Sequence, residues 1–220
     1  MFASLIIVRY PKFGGLLGVL SMAIFHGALF FNHKISFYKL LGCGKNGTFD
    51  RHPDWHQWAI LLVSNNNIPI VPCFINSWFK VFKPQVSTFT LQPIEGHGIW
   101  DGKEVFGELP KQSDYEGRIA VLTRATIRFE KFKSFWNNVE GVANQMKGAD
   151  GLISSLGIGE VPFIKQATFS VWESKEKMKN FAYRMHEHAE VIRKTKKENW
   201  YSEEMFVRFK VLEHKSSVTY

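Results

Sequence analysis

Two cysteines in 220 residues, Cys43 and Cys73, are too few for a disulfide framework or a cysteine-built metal knuckle. A reducing cytoplasm is the compartment this composition implies. The chain also lacks any nucleic-acid docking motif to accompany its net charge of +8. Charge is missing altogether between residues 13 and 31, a stretch about one membrane span long. That stretch nevertheless holds four glycines and His26, follows a strand-like segment and has no small-x-small cleavage site. It is expected to be a buried helix rather than a transmembrane or signal segment.

What is present is a globular balance: 45% hydrophobic, 22% charged and 15% aromatic residues. This is enough for one large domain or two closely packed ones. Lys and Arg concentrate in residues 175–197. They read first as a solvated helix face, with peripheral docking of this basic surface on the inner membrane as the alternative.

The order of elements is set by residues 151–172, GLISSLGIGEVPFIKQATFSVW, which read as two strands, 152–158 and 165–172, around a Gly/Pro turn. LGIG (156–159) echoes LGCG (41–44), and Gln166 echoes Gln57 at the head of the next strand. Around each copy the pattern predicts strand, helix, two strands, helix and strand. In the first half these fall at 3–10, 13–31, 35–41, 56–64, 70–82 and 87–94. In the second they fall at 119–129, 131–147, 152–158, 165–172, 174–199 and 204–212. Each half is then a ferredoxin-like β-α-β-β-α-β unit. The expected α+β architecture is a tandem pair, residues 1–110 and 111–220, packed as one pseudo-symmetric, dimeric-type α/β barrel. The Gly-rich stretch 95–110 is expected to be an exposed linker that includes His97 and Trp100.

Three motifs compete for chemistry. Gly42-Cys43-Gly44-Lys45-Asn46-Gly47 spells G-x-G-x-x-G, but no helix follows to present its amides to a pyrophosphate, so it reads as a turn. His52 and His56 flank Pro53 without a third ligand, which argues against a metal site. In the second half, the apolar strand faces should meet the helices. Arg124, Gln166, Glu204 and Arg208 would then point into the barrel. Pairing among these four is the first reading, and Arg124 and Gln166 are the candidates for a catalytic role.

Ser174 is a plausible N-cap for the last helix, with Glu176 in the first turn. Met178, Phe181, Met185, His188 and Ile192 then recur at three- and four-residue steps on one stripe, with His186 on another face. His188 is either a satisfied core histidine or a haem ligand. The second option takes Phe181, Met185, Ile192 and the strand residues Ala167, Phe169 and Met205 as an apolar pocket.

From residue 122 onward the phrases LTRAT (122–126), GIGEVP (157–162), QATFSVW (166–172) and WYSEEMFVRFKV (200–211) resemble the spheroidene monooxygenases of acyclic carotenoid biosynthesis. The run His188-Ala189-x-x-Ile192-Arg193 and, in the first half, FYKLLGCG (37–44) also fit. The resemblance implies an oxidoreductase with a b-type haem that uses O2 to install a keto group near the end of an acyclic carotenoid. It also implies an external electron donor, ferredoxin-like in type. Haem between sheet and helices is known in related barrels such as aldoxime dehydratases and chlorite dismutases. A different haem enzyme on this barrel, of aldoxime-dehydratase type, and a non-catalytic apolar-ligand or haem-binding protein remain the alternatives.

Overall fold

The computed structural model describes residues 1–12, 14–45, 52–146, 148–161, 163–184, 193–195 and 197–217, without the side chains of 139–145 and 183–184. The first module runs β1 (Phe2–Arg9), α1 (Gly15–Phe30), β2 (Phe37–Gly44), β3 (Pro53–Ser64), α2 (Cys73–Phe82) and β4 (Gln85–Gly98). The second runs β5 (Ile119–Ile127), α3 (Phe132–Met146), β6 (Leu152–Val161), β7 (Lys165–Trp172), α4 (Lys175–Arg184) and β8 (Tyr201–Ser217). A 3-10 turn, Phe129–Lys131, leads into α3. The strands close in the order β1-β3-β2-β6-β7-β5-β8-β4, so two ferredoxin-like sheets form one barrel.

Closure uses two seams. At the short one, β2 and β6 pair antiparallel through Gly42↔Gly159 and Cys43↔Ile158. The two copies of the LGxG echo therefore meet each other near the pseudo-two-fold. The long seam pairs β4 with β8 from Val86↔Ser217 to Gly98↔Met205. Here two glycines of the expected linker, Gly96 and Gly98, turn out to lie in the strand, while Gly102 and Gly107 lie in the loop beyond it. A Cβ on Gly96 would sit 2.6 Å from the Phe206 carbonyl oxygen, and one on Gly98, at φ +94°, would strike the Glu204 carbonyl. Glycine is required there by close backbone approach, not by a turn. Gly157 and Gly159 likewise belong to β6, which ends at Val161, and Phe163, just before β7, is at φ +69°.

The barrel interior is itself an apolar core, as an eight-stranded barrel requires. Every strand contributes to it, for example Leu5, Leu41, Leu61, Leu91, Leu122, Leu156, Phe169 and Phe209. This corrects the expected orientation of β7 and β8, whereas β5 does turn Ile119, Val121 and Ile127 to the helices as expected. Ala167, Phe169, Met205 and Val207 face the interior, not the helices. With two apolar faces on one sheet, alternation alone does not tell inside from outside. Gln57 and Gln166 also fall on opposite faces: Gln57 lies beside interior Ala59, whereas Gln166 lies beside interior Ala167.

Ser174 does cap α4, its hydroxyl accepting the Lys177 N–H at 3.2 Å. The expected continuation of that helix through 185–192 lies outside the described residues. At 16 residues α1 is about 24 Å long. No helix among the described residues is long and apolar enough to cross a membrane. Because each module's sheet is completed across both seams, residues 1–110 and 111–220 expressed separately are expected to be insoluble or molten. Circular dichroism and denaturant titration of the two fragments check this, and two cooperative monomeric transitions would contradict it.

Candidate functional site

The two modules differ on the outer faces of their sheets, where the helices lie. Aligning LGCG with LGIG makes Gly42 equivalent to Gly157, and the registers extend the match across each sheet. In the first module the rows are Gly42–Trp58–Val8–Val86 and Leu40–Ile60–Ile6–Thr88. In the second they are Gly157–Thr168–Thr123–Phe206 and Ser155–Ser170–Val121–Arg208. Thr168 thus stands where Trp58 does, Ser170 where Ile60 does, Ser155 where Leu40 does and Thr123 where Val8 does.

The consequence is a filled face in the first module and one exposed at Thr123 in the second. In the first module Ile6, Val8, Ile60 and Leu62 pack on Phe25 and Leu29 of α1. Trp58 lies so close to Gly18 of α1 that a Cβ there would collide with its indole nitrogen. In the second module Thr123 is exposed, although β5 is hydrogen-bonded on both sides. Ile119, Val121 and Trp172 pack on Met178 and Phe181 of α4 to one side of it. Ile127 packs with Phe135 and Trp136 of α3 and with Trp200 to the other. Between Val121 and Ile127 the strand rises about 20 Å. The outer face between these clusters, Gly157, Thr168, Thr123 and Ala125, is the candidate slot: Thr123 is exposed in it, while Gly157 and Ala125 are buried. Phe181 is buried in its wall, its ring 5.3 Å from that of Trp172.

The α4 end of the slot is pinned by charge. Glu95 is fully buried on β4, paired with Arg208 and, at 2.7 Å, with Lys175, the first residue of α4. It also accepts the Ser113 N–H at 2.8 Å, and Lys175 donates to the Ser113 carbonyl. Burial alone would raise the Glu95 pKa, but Lys175, Arg208 and the Ser113 amide hold it down at about 2. Glu204 and Arg208 therefore do not enter the barrel as expected. Arg208 clamps the linker and α4 to the outer face.

Of the two catalytic candidates, Arg124 does face inward. It is fully buried, pairs with Glu203 and lies 5.6 Å from the Trp100 ring. Trp100, expected in an exposed loop, is instead buried as a plug in this end of the barrel and donates to Glu160 at 2.7 Å. Lys39, Lys165 and Asp101 complete the ring of charge around it. Gln166 is on the opposite face and donates to the Val161 carbonyl at 3.3 Å, so Arg124 and Gln166 form no joint constellation. At the other barrel end a cavity of about 800 Å³ opens between Ile7, Arg9, Gln57, Phe89, Arg118 and His214. Cys43 lies buried in the interior core, its thiol pushed up to about 12 by burial. His188, Met185 and Ile192 lie outside the described residues, as do 46–51 of the G-x-G-x-x-G run and its flank. Among the described residues no group of three His, Cys, Asp or Glu gathers as a metal site.

The floor of the slot was hidden in sequence because Thr and Ser are ordinary strand residues. Only the register against Trp58 and Ile60 reveals what they replace.

By fold the protein is a duplicated ferredoxin-like barrel of the aldoxime dehydratase shape. An aldoxime dehydratase in complex with butyraldoxime superposes with a TM-score of 0.67 at 8% identity, covering 98% of this chain and 81% of that one. A second aldoxime dehydratase gives 0.58, also at 8% identity, over 96% and 80%. No family model matches the chain. The spheroidene monooxygenase of Rhodobacter capsulatus is 31% identical over 218 residues, 96% of this chain and 90% of its own length. That of Cereibacter sphaeroides is 35% identical over 186 residues, 81% of this chain but 56% of its own length, so the match spans little more than half of that relative. The chain belongs to the spheroidene monooxygenase family.

The clamp makes a prediction about acid stability. A carboxylate lowered from 4.5 to about 2 stabilises the fold above its unfolded pKa, by ~3 kcal/mol, and that contribution is lost as pH falls from 4.5 toward 2. Glu95→Gln, which leaves Lys175 and Arg208 buried without their counter-charge, should cost about 3–5 kcal/mol at pH 7. The difference from wild type should shrink as pH falls through that window, as followed by urea unfolding.

Proposed function

We propose that the chain is a haem-dependent monooxygenase that introduces a keto group into an acyclic carotenoid or another long apolar substrate. The observation that carries this reading is the exchange of Trp58 and Val8 of the first module for Thr168 and Thr123 of the second. It opens a flat, apolar-ended slot on the second sheet where the first module has none. Such a slot suits a planar macrocycle: small residues form the floor, and Met178, Phe181, Trp172, Phe135 and Trp136 stand at its ends. His188, seven residues after Phe181 at helical spacing, is the residue that would hold the haem iron, with Met185 and Ile192 on the same stripe of the sequence pattern.

Haem bound there supplies the activation of dioxygen. The chain supplies the rest. The apolar ends exclude water, and the Thr123 and Thr168 hydroxyls offer hydrogen-bonding groups on the floor. The Glu95–Arg208–Lys175 clamp holds the start of α4 in place. Ketone formation by two successive hydroxylations consumes one O2 and two electrons per round. The reading therefore includes an external electron donor, of ferredoxin type, and requires no nucleic acid.

Thr168→Trp restores the side chain of the first module and should fill the slot. Hemin binding, followed by the Soret band, should fall at least tenfold while the far-ultraviolet circular dichroism is unchanged. His188→Ala should lose or shift the Soret band and His186→Ala should not. A wild-type protein that gives no Soret shift with hemin, or a Thr168→Trp variant that binds like wild type, would overturn the proposal.

A further inference from the structure

The helix layer of the first module is apolar on the side that faces away from the sheet. In α1 the buried positions are Gly18, Ser21, Phe25 and Leu29. The exposed ones include Leu16, Val19, Leu20 and Phe30, with Leu16 80% and Phe30 67% accessible. A helix apolar all round normally has both faces covered. On α2, beside it, Phe74 and Val81 are exposed at 50% and 70%, and Ile70 just before it at 76%. Ring contacts of Phe25 with Trp78 and Phe79 hold the two helices together over the same sheet face, so their outer stripes form one surface. Apolar side chains exposed together over this area mark an interaction surface.

Charge identifies what covers it. Residues 1–49 contain no Asp or Glu, and Asp50 and Asp54 are the only acidic residues before Glu95. The same 94 residues carry eight Lys and Arg. Lys12 and Lys34 flank α1, Lys80 and Lys83 lie at the end of α2, and all four are exposed. A protein partner for a large apolar face would commonly match it with mixed charge at the rim. A rim that is basic throughout, around bulky Leu, Ile and Phe, matches an anionic bilayer surface. The outward face of α4 differs, carrying Lys177, Lys179 and Glu176.

We infer that α1 and α2 dock the protein on an anionic lipid bilayer, their outer apolar stripes entering the headgroup boundary and Lys12, Lys34, Lys80 and Lys83 meeting lipid phosphates. This deepens the proposed function, since a long apolar substrate partitions into the same bilayer, but it rests on a different face from the slot.

The test is co-sedimentation with extruded vesicles of 3:1 phosphatidylcholine to phosphatidylglycerol, and with phosphatidylcholine alone. Wild type should sediment with the anionic vesicles and be released by raised salt. Leu16→Asp/Leu20→Asp and, separately, Phe74→Glu should each weaken binding at least tenfold. Lys80→Glu/Lys83→Glu should weaken it and flatten its salt dependence. The hemin Soret band of all these variants should match wild type, which separates this outcome from failure of the haem reading. Wild type left in the supernatant, or undiminished binding in both apolar variants, would overturn the inference. So would a wild-type dimer in light scattering that Leu16→Asp/Leu20→Asp converts to monomer, because a second copy would then be the cover.

Discussion

Closure of the barrel is the constraint on which the rest of this structure depends. Neither four-stranded sheet satisfies its own edges. Each edge is completed by the other module, through β2–β6 on one side and β4–β8 on the other. Closing the sheet removes exposed edges but creates an interior that only side chains can fill. Most inner residues of the eight strands are therefore committed to packing, with a cavity of about 800 Å³ left at one end. At one end Trp100 and the ring of Lys39, Arg124, Glu160 and Glu203 stopper the core. The outer faces are where the helices lie, and there the two modules are free to differ.

There the duplicated modules have diverged. The first keeps Trp58, Ile60 and Leu40, and glycine at position 18 lets α1 settle directly on the tryptophan. The second has small hydroxyl residues at those places, and its helices reach the sheet through clusters on either side of Thr123. Large-to-small changes on a packed face ordinarily cost several kcal/mol when the space stays empty. In the second module the Ser170 position is instead covered by the Trp172 indole, which donates to the Ser170 hydroxyl at 2.9 Å, and Thr123 is left exposed.

Much of the architecture was legible in the sequence, because repeated element order survives where individual side chains drift. The LGxG echo marks the seam itself, and Ser174 is the cap it looks like. Orientation was not legible. Met205, Val207 and Phe209 alternate cleanly with Glu204, Phe206 and Arg208, but both sets border apolar material, so the pattern is symmetric to inversion. Gly96 and Gly98 read as a loop for a related reason. Composition records that glycine is needed, not whether a turn or a neighbouring backbone needs it. The Arg208–Glu95 pair joins residues 113 positions apart, a contact that no local pattern encodes.

The long-range clamp also explains how an open slot is compatible with a fixed one. Among the described residues, α4 packs on the sheet through Met178, Phe181 and Ala182. Glu95 adds directional contacts, joining β4, β8, the segment at Ser113 and the first residue of α4 in one buried group. A buried carboxylate satisfied by two cations and an amide is a poor substitute for apolar packing in net stability. It holds geometry without occupying volume, which is what the floor of the slot demands.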